Sequence, residues 1–184
     1  MYEYTIFSFT FTILRRFYSS FLSCILNYNH GKKIAHLSLI IFICLVFIQS
    51  LYFKFTNSPE TQYIFTEKLN SWAESFGYNN VFSPGGIFSA VHVGIIELAV
   101  TLLLIASIVY KKKIFEIVGA AVGLIIISGA IFFHLATPLG VSVKNTDGTY
   151  DGGQLFGLAC MIFLSCLTLL YMNRLIIIDL LKRK

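Results

Sequence analysis

Long apolar runs separated by short polar stretches dominate the pattern of this chain. Four runs approach the roughly 20 apolar residues that a hydrocarbon core of about 30 Å requires. Each is bounded by charged residues, Pro or Gly, and they cover residues 35–55, 86–109, 114–134 and 154–171. The pattern predicts an all-α fold, that of a polytopic membrane protein built as a four-transmembrane-helix bundle.

The segment between the first two runs carries the pattern of an amphipathic helix. Ser58 is suited to the N-cap and Pro59 to the first helical position. Apolar residues then recur at helical spacing and fall on one stripe, which comprises Phe65, Leu69, Trp72 and Phe76. We expect a helix that lies flat on the outer, periplasmic face of the membrane with its Trp at headgroup level.

The second outer segment, residues 141–150, is predicted to form a short hairpin that turns at residues 145–148. Its acids lack the order of a calcium-binding loop, which favours a solvated turn. The third run contains Gly119 and Gly123, a small-x-x-x-small pattern that lets helices approach closely. This pattern favours packing within the bundle, and contact in a homo-oligomer is the alternative.

Residues 1–30 form a separate amphipathic segment. Its apolar run is interrupted by Arg15 and Arg16, so we do not expect it to span a membrane. Two interpretations remain, an amphipathic helix on the cytoplasmic face and an extension from a misplaced start codon. The remaining chain divides into a four-helix domain, residues 31–174, and a basic cytoplasmic tail, residues 175–184.

Composition and charge support a lipid environment. The chain is 57% hydrophobic and 12% charged, whereas a soluble domain carries about 25% charged residues. Eleven of its Lys and Arg residues fall on one side of the predicted spans and three on the other. The positive-inside rule then predicts a multi-pass protein of the cytoplasmic (inner) membrane with both termini in the cytoplasm. Because the basic clusters lie between apolar runs, they indicate lipid headgroups and not nucleic acid as their partner.

Strongly polar side chains are concentrated in the outer halves of the spans. Glu97 is predicted about 15 Å below the outer end of its helix, where a carboxylate needs a compensating partner. We expect a neutral Glu97 unless Lys54 or a histidine compensates its charge. Lys54 is more distant in depth, and Gln49 is near enough to hydrogen-bond the neutral acid. The inner halves are expected to hold only Ser, Thr and Cys, with Glu116 solvated. The predicted binding site therefore comprises Gln49, Lys54, His92, Glu97, His134 and Gln154.

Structural alternatives exist for several of these residues. Lys54 is close enough to the interface to snorkel. Backbone carbonyls one turn away can satisfy His92 and His134, and Gln154 can belong to the cap of the fourth helix. His92 and Glu97 are five residues apart, which places them about 140° from each other on a helix. They cannot form a two-ligand metal-binding face on one helix, and a zinc site from His92, Glu97 and His134 across helices is the less favoured alternative. No metal site is therefore predicted, and no cofactor motif is evident.

From Lys33 to about Arg174 the chain resembles the DoxX family of small four-helix membrane proteins. The segments that carry the resemblance are residues 51–55, 58–60, 63–65, 94–98, 129–134 and 151–153. They contain Lys54, Glu97 and His134, which the resemblance assigns to the polar cluster. It implies a membrane subunit of the kind associated with a quinol oxidase and a thiosulfate:quinone oxidoreductase.

Three functional hypotheses follow. The first is an accessory or membrane-anchoring subunit of a redox system, not a catalyst on its own, whose outer site binds a quinone or other lipid-soluble molecule, or a redox-enzyme partner. The second is a membrane oxidoreductase that acts directly, of the thiosulfate or thiol:quinone type. The third is a small proton-coupled transporter with Glu97 as the proton carrier.

Overall fold

The computed structural model describes residues 31–145 and 147–182, and within these ranges it is helical and contains no strand. In chain order the elements are α1 (Gly31–Phe55), α2 (Pro59–Gln62), a π-helix (Tyr63–Asn70), α3 (Ser71–Glu74), α4 (Ala90–Val109), α5 (Lys113–Ala136), α6 (Gln154–Met172) and α7 (Arg174–Lys182). The all-α prediction is therefore confirmed. The amphipathic segment predicted for residues 1–30 lies outside the described residues.

Four helices are long and apolar enough to cross a membrane, namely Ile34–Phe55, Ala90–Val109, Lys113–Ala136 and Gln154–Met172. Large apolar side chains such as Leu45, Ile95 and Ile125 remain exposed on their surfaces. A helix surface of this kind suits lipid as its solvent. The polytopic, four-span architecture predicted from the sequence is thus confirmed.

One predicted boundary needs correction, because the second spanning helix begins at Ala90 and not at residue 86. The preceding residues form turns in which the Gly86 amide donates to the Ser83 carbonyl and the Ser89 amide to the Gly86 carbonyl. A Cβ at Gly86 would collide with the carbonyl oxygen of Asn80, so the close backbone approach requires glycine. Glu97 consequently lies only about 10 Å along α4 from its start.

By its internal contacts the chain divides into residues 1–42 and 43–184. Within the second unit, α5 packs along both α4 and α6. We call the end of these helices that carries Lys111, Lys112 and Lys113 the lysine end. The opposite end, which carries residues 56–89 and 137–153, is called the loop end.

Two glycines of α5 allow this packing. A Cβ at Gly123 would lie 3.3 Å from both Val100 Cγ1 of α4 and Cys166 Sγ of α6. A Cβ at Gly119 would lie 3.2 Å from the Leu104 side chain of α4. The small-residue pattern thus serves packing within the bundle, as the sequence favoured.

At the loop end, the predicted amphipathic segment is helical and starts as expected. Ser58 Oγ accepts from the Thr61 amide at 3.3 Å, and Pro59 is the first helical residue. Leu69 is buried in a small core, against which Phe65 and Trp72 pack. The buried members of this core, named here the loop-end core, are Leu69, Ala73, Phe82, Leu139 and Val143.

The prediction that Phe76 continues the apolar stripe is wrong. The helix ends at Glu74, and the chain turns at Gly77, whose φ is +84°. Phe76 therefore lies beyond the helix and is 64% exposed. The buried face of the segment contacts protein, since Leu139 and Val143 of the second outer segment lie in the same core.

The hairpin predicted for residues 141–150 is confirmed. Lys144 and Tyr150 form an antiparallel bridge, and the Asn145 amide donates to the Thr149 carbonyl at 2.8 Å. Asp147 Oδ1 accepts from both the hydroxyl and the amide of Thr149, at 2.7 and 2.9 Å. These hydrogen bonds lower the pKa of the Asp147 carboxyl below its ordinary value.

Candidate functional site

The central feature of the loop end is an ion pair between α1 and α4. Lys54 Nζ lies 2.7 Å from each carboxylate oxygen of Glu97, and the two side chains are only 13% and 6% exposed. Ser50 Oγ donates to Glu97 Oε2 at 3.1 Å and accepts from Lys54 Nζ. We refer to Ser50, Lys54 and Glu97 as the loop-end cluster.

Helix geometry explains why these three side chains meet. Ser50 and Lys54 are four residues apart, so they share one face of α1. On α4, Gly94 stands three residues before Glu97 and lies directly against α1. A Cβ at Gly94 would be 2.9 Å from Phe55 Cε1 and 3.6 Å from Leu51 Cδ2. The missing side chain lets the end of α1 come close enough for Lys54 to reach Glu97.

Lys54 therefore compensates Glu97 in the structure, which is one of the alternatives that the sequence left open. Lys54 is the penultimate residue of α1. Its ammonium group contacts the Glu97 carboxylate and does not extend toward the membrane–water interface. The snorkelling alternative for Lys54 is not what the structure shows. Two unlike charges paired in this way compensate each other at a position where either alone would be costly.

Gln49 does not belong to the loop-end cluster. Its predicted hydrogen bond to Glu97 is not formed, because Gln49 projects about 140° from Lys54 around α1, whereas Ser50 projects about 40° from it. Gln49 Oε1 is buried and has no hydrogen-bond partner among residues 31–145 and 147–182. Ser50, which the sequence analysis did not select, occupies the predicted role. Its spacing of four from Lys54 was the available signal.

His92 is also separate from Glu97. Its side chain is exposed, and its Nδ1 lies 2.8 Å from the Gly86 carbonyl oxygen and 2.9 Å from Ser89 Oγ. These contacts tie the first turn of α4 to the turn before it. The structural alternative for His92, a ring satisfied by a backbone carbonyl, is the one observed.

His134 and Gln154 have local roles too. His134 is buried, its Nδ1 lies 2.7 Å from the Gly140 carbonyl oxygen, and its ring packs edge-on against Phe156. Gln154 is the first residue of α6, and its amide donates to the Asp151 carbonyl at 3.3 Å. Of the six predicted site residues, the structure brings only Lys54 and Glu97 into contact.

Asp151 organises the start of α6. Oδ1 accepts from the amides of Val143 and Gly153 at 2.8 and 2.9 Å and from Ser142 Oγ at 3.2 Å. Oδ2 accepts from the Leu155 amide at 3.0 Å. The carboxylate thereby joins the hairpin to the helix, which matches the capping alternative for residues 151–153.

At the lysine end, the structure corrects the prediction that Glu116 is solvated. Glu116 is 1% exposed. Its Oε1 accepts from Asn173 Nδ2 at 2.6 Å and its Oε2 from Lys113 Nζ at 2.8 Å. The three neighbouring lysines suggested solvent, but Glu116 faces the end of α6, where Asn173 provides the donor. The prediction that the inner halves hold only Ser, Thr and Cys is therefore wrong.

The loop-end cluster has the chemistry of a binding site for a hydrogen-bond acceptor. The ammonium of Lys54 is a strong donor, and the Ser50 hydroxyl both donates and accepts. Within the described ranges, no group of three or more His, Cys, Asp or Glu side chains is placed to hold a metal ion.

Comparison with known proteins found no matching family model, no similar curated protein and no similar solved structure. The resemblance to the DoxX family therefore stays a prediction, supported by the residues that carry it.

Proposed function

We propose that this protein is an accessory membrane subunit of a redox system and that its loop-end cluster binds a lipid-soluble carbonyl compound of the quinone class. The observation that carries the proposal is the buried Lys54–Glu97 ion pair. In this proposal the lysine end is cytoplasmic and the loop end faces the outside, as the distribution of Lys and Arg indicates.

The pair invites a functional explanation because of its energetics. Desolvating two charges costs several kcal/mol, and a buried pair usually adds little net stability compared with apolar residues. Charged residues within spanning helices are therefore read as functional by default. Phe55 lies against Gly94 beside the pair and is 46% exposed, so polar donors and apolar surface occur together. A quinone, which has two carbonyls on an apolar ring, matches both.

The chemistry of the side chains favours an accessory role over direct catalysis. Lys54 or Ser50 can turn one hydrogen bond from Glu97 to a carbonyl, and the remaining bonds to Glu97 hold the ammonium in place. None of these side chains accepts electrons. In this proposal the bound quinone and a partner enzyme perform the electron transfer, and this chain supplies the binding site.

The transporter alternative fits the geometry less well. A proton carried by Glu97 would neutralise the carboxylate and break its pairing with Lys54. The ammonium would then be left buried without its counter-charge, which costs several kcal/mol. Ligand binding needs only one hydrogen bond of Lys54 or Ser50 to turn from Glu97 to the ligand, and both charges stay in place.

The test uses the full chain in nanodiscs and compares decylubiquinone with decylbenzene, which has the tail but no carbonyls. Lys54→Met combined with Glu97→Leu removes the charges without leaving one unpaired. We expect this variant to bind decylubiquinone about tenfold more weakly or worse, because a hydrogen bond to a charged group contributes about 1.5–3 kcal/mol. Decylbenzene binding should not change.

Lys144→Met is the matched control, because Lys144 is an exposed lysine of the same end of the protein. It should leave decylubiquinone affinity unchanged. Equal affinity of the double variant and the unmodified protein, or no binding to the unmodified protein, would overturn the proposal.

A further inference from the structure

The described part of the predicted basic tail, residues 175–182, is helical. The spanning helix α6 stops at Met172, Asn173 forms the joint, and α7 runs from Arg174 to Lys182. No residue of α7 is buried. Leu180 and Leu181 are 44% and 70% exposed, so an apolar surface is left uncovered by the described protein.

The residues of α7 are sorted by face. At 100° per residue, Ile176, Ile177, Leu180 and Leu181 fall on one half of the helix. The opposite half carries the three charged residues of α7, which are Arg174, Asp179 and Lys182. Leu175 and Ile178 also lie on this half. Such a division is typical of helices that lie in a membrane surface.

The start of α7 is held at the lysine end of the bundle. Asn173 Nδ2 donates to Glu116 Oε1 at 2.6 Å and to the Leu169 carbonyl at 2.8 Å. The Arg174 guanidinium lies 4.1 Å from the centre of the Tyr171 ring, and Tyr171 is 63% exposed. An exposed Tyr with a cation at the end of a span is characteristic of the membrane–water interface. The first residue of α7 is therefore at interface level.

We infer that α7 lies flat on the membrane at the lysine end and binds anionic lipid headgroups. Its apolar half enters the boundary of the acyl chains, and its basic residues contact the headgroups. The described lysine end offers the cations of Lys111, Lys112, Arg174 and Lys182, whereas Lys113 is paired with Glu116.

The opposing acids are few, which makes the surface complementary to anionic lipid. Asp179 is exposed on α7, whereas Glu116 is buried and paired with Lys113. Arg183 and Lys184 follow directly in the sequence and add to the basic charge. This inference is independent of the loop-end cluster, which lies at the other end of the helices.

The experiment places a fluorescent reporter on each half of α7 in the full chain. Trp72 is the only Trp of the sequence, so Trp72→Phe provides a silent background. Leu180→Trp reports on the apolar half and Leu175→Trp on the polar half, with the same change of side chain in both. The protein is reconstituted into nanodiscs of phosphatidylcholine, alone or mixed with phosphatidylglycerol, with lipids brominated in the acyl chain as the quencher.

We expect the Trp introduced at Leu180 to be quenched several-fold more strongly than the one introduced at Leu175, and more so when phosphatidylglycerol is present. Aqueous iodide should show the reverse preference. Lys182→Glu should weaken the effect of phosphatidylglycerol, whereas Lys144→Glu at the loop end should not.

Equal quenching at the two positions would overturn the inference. A blue-shifted emission at position 180 without lipid quenching would also overturn it, because protein, such as a second copy of the chain, would then cover the apolar half. A difference between the positions that is insensitive to phosphatidylglycerol would overturn the assignment to anionic headgroups.

Discussion

Both carboxylate oxygens of Glu97 lie 2.7 Å from Lys54 Nζ, although the two residues are 43 positions apart in the chain. The contact joins the last turn of α1 to the middle of α4. It also makes each charge dependent on the other, since neither side chain is more than 13% exposed. The stability of the pair should therefore respond differently to loss of one charge and loss of both.

Lys54→Met or Glu97→Leu alone should destabilise the protein by about 3–5 kcal/mol, because each leaves an uncompensated buried charge. The double variant should recover most of this loss. Unfolding of the purified protein by SDS in mixed micelles measures the free energies. Single variants as stable as the unmodified protein would show that solvent reaches the pair.

Gly123→Ala should be less stable than Gly129→Ala by about 1–3 kcal/mol, the cost of overpacking a filled core. Both changes raise helix propensity equally. The difference in stability between the two variants therefore measures the effect of the new Cβ on its neighbours at Gly123. A Cβ at Gly123 would lie 3.3 Å from Val100 and Cys166, whereas a Cβ at Gly129 would meet nothing within 4 Å. The same unfolding assay measures it, and equal stabilities would contradict the packing of α5 against both neighbours.

Asn173→Ala should destabilise the lysine end by about 1–3 kcal/mol, because the buried Glu116 carboxylate loses a hydrogen-bond donor. Asn79→Ala removes an exposed amide at the loop end and should change nothing. Hydrogen exchange of residues 169–177 locates the effect. If the two variants behave alike, the Glu116–Asn173 hydrogen bond does not hold the joint between α6 and α7.

The hairpin should lose stability in acid. The pKa of Asp147 is lowered from 3.8 by its hydrogen bonds with Thr149, so the contribution is present above pH 3.8 and is lost as the pH falls through the lowered pKa. The NMR shift of the Thr149 amide should titrate below that value. Thr149→Val removes the hydroxyl and should move the titration upward, and Asp147→Asn should abolish it.

The length of the apolar runs made the spans predictable, because a helix that crosses the lipid needs a continuous apolar surface of known length. The need of Glu97 for compensation was also predictable from its depth in the membrane, but the choice of Lys54 as its partner was not. The contacts of Gln49, His92 and His134 could not be predicted from the depth of these residues in the membrane. Rotation about the helix axis and the turns at Gly86 and Gly140 decide their contacts, and neither is visible in hydropathy.

Glu116 and Phe76 show a second limit. The lysines before Glu116 indicated solvent, but its environment is set by Asn173, which lies 57 residues away. Phe76 fitted the helical stripe, but the helix stops before it at Glu74. In both cases a distant contact or a chain turn overrode the local pattern.

The Lys54–Glu97 pair also constrains how the protein is made. Before the two helices meet, Lys54 of α1 and Glu97 of α4 each lack a counter-charge, which is costly for a charged side chain within a spanning helix. The charge of α1 is matched only after α4 is made, because Glu97 lies 43 positions after Lys54 and the whole loop-end helical segment comes between them. A chain in which α4, the second spanning helix, is not in place therefore keeps Lys54 without its counter-charge, so the pair makes correct assembly of these two helices favourable.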